Sequence, residues 1–215
     1  MPSISIEISQ QDLTDVVNML SGIKDGAATA IYRSVNKGLS HAQTQAVKAI
    51  GQELTLKAAR IKKDFSMRKA SKSVLSGAVW ATGQPVGLLN FSANKVKAGY
   101  SVKVKKRSSR TLLKHAFKAK TRKLRNDGSA YETEHLWWRS YDGPRSGTGT
   151  ENVGYFAGLP AGHPMKGPEL ERLTGPRIED IFGQDDILSD VQDKASAKIT
   201  ENLGKETYNL LRRFG

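Results

Sequence analysis

The chain has 215 residues, a formal net charge of +13 and 38% hydrophobic residues. This apolar content supports a folded core and excludes a wholly disordered chain. The absence of cysteine excludes disulfides and thiolate metal sites. The sequence shows neither a signal-like N-terminus nor a run of about 20 apolar residues, so we expect a protein that is made and used in soluble form, without a membrane.

The N-terminal residues predict a strand followed by a helix. Ile4, Ile6 and Ile8 alternate with polar residues, which is typical of a short strand. Ser9 is the expected N-cap of the next helix, because Asp12 occupies the capping-box position three residues later.

An apolar stripe at helical spacing then extends from Leu13 to Leu54 in steps of three or four residues. A break is expected near Gly22 and Gly26. The second helix after this break is the longer one and is expected to end near Glu53. A stripe of this length predicts either core packing or contact between subunits.

The central part of the chain changes from helical to strand-like patterns. A short basic helix is predicted from Thr55. Strands are predicted at SVLSGAVWATG, at VGLLNFS after a turn at Pro85, at YSVKVKK and around Phe117. Tyr100, Val102 and Val104 alternate with positions that include Lys103 and Lys105. We therefore expect one small antiparallel sheet with an apolar face and a strongly cationic face.

The C-terminal part begins with a long excursion over residues 124–162, expected to form a hairpin with exposed tips. A short helical turn is predicted at Glu169–Leu173, and then a final helix of about 28 residues. Its stripe from Ile187 to Phe214 is expected to pack against the stripe from Ile31 to Ile50. Val47→Asp is therefore expected to unfold the protein.

These elements predict the fold class α+β, with a small antiparallel sheet that has a cationic face and is flanked by a long N-terminal helix and a long C-terminal helix. Three segments are expected. Residues 1–30 form an extension of one strand and a broken helix. Residues 31–182 form the main α+β domain, including the excursion 124–162, and residues 183–215 form a helix packed on that domain.

The positive charge is concentrated in one segment. Between Phe65 and Asn126 there are sixteen Lys and Arg residues and no Asp or Glu. Because the whole chain has a net charge of +13, the remaining residues together have a net charge of −3. A field of one sign attracts polyanions, and nucleic acid is the first candidate, although a solvated basic face is the plainer alternative. The residues expected to face DNA or an acidic partner are Lys103, Lys105, Lys106, Arg107 and Arg110.

No pattern in the chain predicts an enzyme, a metal or a cofactor. There is no phosphate-binding glycine loop and no nucleophile motif. Glu132 and Glu134 would share one side of a strand, where Glu134 is expected to balance a nearby cation. The four histidines are far apart in sequence and have no metal-ligand spacing. They are His41, His115, His135 and His163.

The order of these blocks resembles the phage minor tail protein Z family, the tail completion proteins of long-tailed phages. The resemblance covers residues 31–182. It runs from SVNKGLSHAQTQAVKAI and IKKDFSMRKAS through SVLSGAVWATGQPVGLLNFSA, GYSVKVKK and KHAFKAK to LERLTGPRIEDIF. In the last block, Leu173, Gly175, Pro176 and Phe182 match the family's Leu-x-Gly-Pro segment.

The resemblance implies a structural virion protein that completes the head-proximal end of a tail and helps to join it to the head–tail connector around the DNA channel. The implied partners are further copies in a hexameric ring, the tail terminator, the connector, and DNA held by non-specific electrostatics. The implied location is the neck of the virion, with the host cytoplasm during assembly.

Two other functions remain open at this point. The alternative is a free basic nucleic-acid-binding protein with a cationic β-sheet face. A metal-dependent nuclease ranks last, because the basic segment has no carboxylate. If the protein assembles into a ring, exposed aromatic residues are the expected contacts with subunits or partners. They are Trp137, Trp138, Tyr141, Tyr155 and Phe156.

Overall fold

The computed structural model describes residues 2–6, 10–140 and 169–214. The fold is α+β, with a long helix near each end, as the sequence predicts. The helices are α1 (Gln10–Met19), α2 (Gly26–Glu53), α3 (Ala58–Lys62), α4 (Ile178–Phe182) and α5 (Asp185–Phe214), with a 3₁₀ turn at Leu88–Asn90. The strands are β1 (Ser3–Ile6), β2 (Phe65–Arg68), β3 (Gly77–Ala81), β4 (Ser92–Val96), β5 (Gly99–Lys103), β6 (Thr111–Lys114), β7 (Phe117–Leu124), β8 (Ala130–Ser140) and β9 (Glu169–Arg172).

The chain divides into two compact units. The helical unit comprises Met1–Pro85 and Pro176–Gly215, and the sheet unit comprises Val86–Gly175. These boundaries differ from the divisions at residues 30 and 182 drawn from the sequence. The physical reason is that β1 and α1 pack within the same unit as α2 and α5, rather than forming a separate extension.

Helices α2 and α5 pack along each other in the helical unit, as the two apolar stripes predict. Ala42, Ala46 and Ile50 of α2 are fully buried, whereas Val47 is only half-buried. Val47→Asp is therefore a poor probe of this packing, and Ala46 is the better position.

The C-terminal stripe differs from the predicted one in its last turns. Tyr208 is 65% exposed and Phe214 is 61% exposed, whereas Leu210 is buried. Tyr208 lies five residues after the buried Leu203, about 140° further around the helix, so it points away from the buried face. That face continues through Glu206 and Leu210, and Phe214 is the last residue of the helix.

A close approach of the two helices occurs at Gly38. A Cβ atom added there would lie 2.1 Å from Cγ1 of Ile199, so only glycine leaves room for that side chain. Gly38 therefore lowers the helix propensity of α2, but it also lets α5 pack close enough for the Ile199 side chain to fit. Nearby, the buried Glu206 of α5 forms ion pairs with Lys37 and Arg33 of α2.

The helical unit also contains the antiparallel sheet β1–β3–β2. The predicted N-terminal strand is confirmed at Ser3–Ile6, whereas Ile8 and the expected cap Ser9 lie outside the described residues. The basic helix predicted from Thr55 is short, because Phe65–Arg68 forms strand β2 instead. Phe65 turns its ring inward against Phe182, with ring centroids 5.0 Å apart.

The sheet unit contains two antiparallel sheets, β4–β5–β6 and β7–β8–β9. The predicted strands therefore do not form one sheet: the strand around Phe117 pairs with β8 rather than with β5. The predicted turn after Asn126 is confirmed, because Asp127 accepts hydrogen bonds from the backbone and hydroxyl of Ser129. The prediction of a helical turn at Glu169–Leu173 is wrong, because Glu169–Arg172 forms a strand that pairs with β8.

Candidate nucleic-acid interface

The sheet β4–β5–β6 has the alternation that the sequence predicts for β5. Tyr100 and Val102 are buried, and Lys103 lies in the opposite phase of the strand. The cations do not all lie on one face, however. Lys95 is the register partner of Tyr100 and therefore shares the side of the apolar residues. The expectation of one wholly apolar and one wholly cationic face is thus corrected at this position.

The turn that follows β5 brings three of the predicted cations together. Lys105, Lys106 and Arg107 are all exposed, and the backbone N–H of Ser108 closes the turn on the carbonyl of Lys105 at 3.3 Å. Within the part of the chain that the structure describes, these three cations make no ion pair. They can contact phosphates without reading bases.

Arg110 is placed differently from the other predicted cations. Its guanidinium donates to Oγ of Ser92 at 3.1 Å, to Oγ of Ser101 at 3.2 Å, and to both backbone carbonyls at 2.9 Å. The side chain is therefore held flat across β4 and β5. All four acceptors are neutral, so within the described part of the chain no carboxylate compensates the positive charge, while its position is fixed.

The second sheet pairs two of its lysines with carboxylates. Lys118 and Lys120 of β7 form ion pairs with Glu134 and Glu132 of β8, at 2.9 and 3.0 Å. The hydrogen bond from Lys118 holds the pKa of Glu134 below its usual value, and the hydrogen bond to Glu132 raises the pKa of Lys120. Glu134 therefore balances a cation, as expected. These two carboxylates follow the acid-free segment in sequence and meet it only through strand pairing.

A groove of about 770 Å³ that the sequence does not predict lies where the β4–β5 turn meets the β6–β7 connection. Its charged and titratable lining residues are Lys95, Lys97, Lys114, His115 and Lys118, and no carboxylate is among the lining residues that the structure describes.

The two turns that form the groove are joined by backbone contacts. The N–H of His115 donates to the carbonyl of Ala98 at 2.9 Å. His115 adopts a left-handed conformation with φ of 61°, which is uncommon for a residue other than glycine. Gly99 has φ of 142°, and an added Cβ there would lie 2.2 Å from the carbonyl oxygen of Leu113. In the sequence, the only sign of this groove is the spacing of its lysines around the Ala98-Gly99 turn.

The predicted aromatic interface is described only in part. Trp138 of β8 is 40% exposed, and its indole N–H donates to Glu171 at 2.7 Å. Trp137 is half-buried, with an edge contact to His135 at 6.3 Å between ring centroids. Three of the predicted contact residues lie outside the described residues. They are Tyr141, Tyr155 and Phe156.

The described residues contain no group of three His, Cys, Asp or Glu side chains that could hold a metal ion. His41 lies 3.4 Å from Gln45 on α2, and His115 lies in a turn rather than in the expected strand. His163 is outside the described residues. No helix among those described is long and apolar enough to cross a membrane.

No protein-family model matches the chain, and comparison with curated proteins and with solved structures gives no significant match.

Proposed function

We propose that the protein is a structural component of a phage tail, which completes the head-proximal end of the tail and helps to join it to the head–tail connector around the DNA channel. The observation that carries this proposal is the cationic sheet β4–β5–β6. Among the described residues, its exposed lysines Lys95 and Lys114 have no carboxylate partner, which suits a polyanion that passes close by.

The arrangement favours contact with the DNA backbone over recognition of a sequence. The tip cations Lys105, Lys106 and Arg107 lie on an exposed turn, where their side chains can contact phosphates without reading bases. Tyr100 is buried, so its ring is not available as a platform for stacked bases. Non-specific attraction is what a channel requires, because DNA of any sequence must move through it.

The helical unit supplies the other half of the argument. Long paired helices with exposed apolar residues at one end are suited to contact between subunits. Val17 and Met19 of α1 and Tyr208 of α5 are each at least half exposed. In this proposal the subunits form a hexameric ring that contacts the tail terminator on one side and the connector on the other.

Localisation in virions tests the proposal. Purified particles of a phage that encodes this protein, labelled with a gold-conjugated antibody against it, should carry label at the head-proximal end of the tail. Native mass spectrometry of the protein released from tails should give a closed ring of identical subunits. Particles without the label, together with a monomer that binds DNA tightly by itself, would contradict the proposal.

The second candidate is a free nucleic-acid-binding protein. The same uncompensated cations favour it, because a monomer with such a surface would bind DNA or RNA with a strong dependence on salt. The two candidates differ in the isolated protein. A tail component should bind a short duplex only weakly as a monomer and gain affinity when the ring forms, because several subunits then contact one DNA molecule. Equal affinity per subunit before and after assembly would favour the second candidate.

A further inference from the structure

We propose that the groove between the β4–β5 turn and the β6–β7 connection is the principal site for nucleic-acid phosphates, with Lys95, Lys97 and Lys114 as its ligand-binding cations. This inference deepens the proposed function, because it names the surface that faces DNA. It differs from the sequence-based expectation, in which the tip after β5 made that contact.

The first argument is the availability of charge. Lys95, Lys97 and Lys114 are exposed, and none of them makes an ion pair in the described part of the chain. Lys118 also lines the groove, but Glu134 already neutralises it. Three cations with no carboxylate among the described lining residues give a local positive potential that a bound phosphate would neutralise.

The second argument is the rigidity of the groove. Two separate turns form its walls, and the hydrogen bond from His115 to Ala98 joins them. The left-handed backbone of His115 and the unusual backbone of Gly99 hold this arrangement at a conformational cost. A preformed cradle loses little entropy when it binds an anion, whereas the lysines of a surface turn must be ordered on binding.

The third argument is the apolar floor. Tyr100 and Ala116 are buried beneath the groove, and Phe117 is half-buried. Apolar groups next to the lysines exclude some of the water that would otherwise screen them, so each contact with a phosphate is strengthened.

The position of the groove explains how it can act together with the tip. The groove lies at the Gly99 end of β5, and Lys105 follows the other end of this five-residue strand. The strand spans about 15 Å at roughly 3.4 Å per residue. That length covers about four phosphates along one strand of duplex DNA. The guanidinium of Arg110, held across β4 and β5, lies between the two ends.

The test compares three pairs of substitutions in the full chain that remove the same charge. The groove variant is K97Q/K114Q, the tip variant is K105Q/K106Q, and the control is K62Q/K63Q, whose two lysines are exposed at the end of α3. Binding of a fluorescein-labelled 20-base-pair duplex is measured by anisotropy over a range of salt concentrations. Each lost phosphate contact lowers the salt slope by about one.

We expect the groove variant to lower the slope by about two, with the tip variant lowering it by less and the control leaving it unchanged. A groove variant that binds like the control overturns the inference. Inorganic tripolyphosphate at the same phosphate concentration should displace the duplex poorly. Equal displacement would make this a site for any phosphate and would overturn the assignment to nucleic acid.

Hydrogen exchange of the unmodified protein provides a measurement that does not depend on how a variant folds. With duplex bound, the amides of residues 95–99 and 114–118 should be protected more than those of residues 105–110. The reverse order assigns the principal site to the tip and overturns the inference.

The groove and the proposed function fail in different experiments. If the protein is found at the tail neck but the groove variant binds DNA like the control, only the inference about the groove is overturned. If the groove variant shows the expected loss of salt slope but the protein is absent from virions, only the proposed tail function is overturned.

Discussion

The helical unit and the sheet β4–β5–β6 differ in whether their cations are paired with carboxylates. In the helical unit, many cations lie beside carboxylates, either along one helix or between helices. The sheet β4–β5–β6 contains no carboxylate at all. The ion pairs of the helical unit are Lys37 and Arg33 with Glu206, Arg60 with Asp64, Lys72 with Asp25, Lys194 with Asp190, and Lys198 and Lys205 with Glu201.

The sheet β7–β8–β9 is the informative intermediate between them. It belongs to the sheet unit and has a basic first strand, yet Glu132 and Glu134 neutralise Lys120 and Lys118. The number of basic residues in a segment therefore does not measure its capacity to bind a polyanion. What matters is which cations remain without carboxylate partners once the strands have paired.

The largest expected effect concerns the buried helix pair, where an uncompensated charge cannot be tolerated. Ala46→Asp places a carboxylate at a position with no exposed surface, and should lower the free energy of unfolding by about 3 kcal/mol or more. The neighbouring Val47→Asp is the matched control, because its half-buried side chain can reach water, and should cost about 1 kcal/mol. Urea denaturation measures both. Equal losses would show that the two positions are equally buried.

The second prediction removes the ion pairs of the sheet β7–β8–β9 and makes its lysines available for binding. The double variant E132Q/E134Q leaves Lys118 and Lys120 without their carboxylate partners, and should bind duplex DNA more tightly with a salt slope steeper by about two. The anisotropy assay described for the groove measures this change. The control is D190Q/E201Q, which removes the same charge from α5. A slope equal to that of the control would mean that β7 lies away from the DNA.

The third prediction distinguishes the effect of the positive charge of Arg110 from the effect of its hydrogen bonds. Arg110→Lys keeps the charge but loses the hydrogen bonds to Ser92 and Ser101, so local stability of β4 and β5 should fall by about 1 kcal/mol. Amide hydrogen exchange of β5 reports this loss. Arg107→Lys, on the exposed turn, is the control and should leave exchange unchanged. Unchanged exchange in both variants would show that Arg110 does not hold the two strands.

The smallest expected effect is a dependence on acid in the helical unit. Hydrogen bonds from Lys198 and Lys205 lower the pKa of Glu201 from 4.5 to about 2. A lowered carboxyl pKa contributes stability above the unfolded value, and this contribution is lost as pH falls from 4.5 towards 2. Melting temperatures over this range should fall less in Glu201→Gln than in the unmodified protein. The difference should shrink in high salt, because the pairs are exposed. An identical pH profile for both proteins would contradict the assignment.

The sequence predicts the helices well because their signal is local. Stripes at a spacing of three or four residues determine α2 and most of α5. The exceptions are at the end of α5. The predicted stripe takes a five-residue step from Leu203 to Tyr208 and so leaves the buried face, and Phe214 lies in the last turn of the helix. The strand β5 is predicted for a similar reason, because Tyr100, Val102 and Lys103 alternate.

The sheets and the groove could not be predicted in the same way, since they depend on pairing between distant residues. The pattern around Phe117 indicates a strand but not its partner, and its pairing with Trp137 of β8 separates it from β5. The ion pairs of Lys118 and Lys120 also depend on strand pairing, because Glu134 and Glu132 lie beyond the basic segment in the sequence. The groove likewise needs two turns that are remote in sequence to meet.

Gly38 has a consequence for movement as well as for packing. Ile199 occupies the notch that this glycine leaves, and one helical turn to either side α5 presents Ala195 or Leu203. A slide of α5 along α2 by one turn, about 5.4 Å, would require Ile199 to leave the notch and a residue of different volume to enter it. The helix pair therefore has a single favoured register. In the proposed ring of subunits, we expect the pair to transmit force as one rigid element, without sliding of one helix along the other.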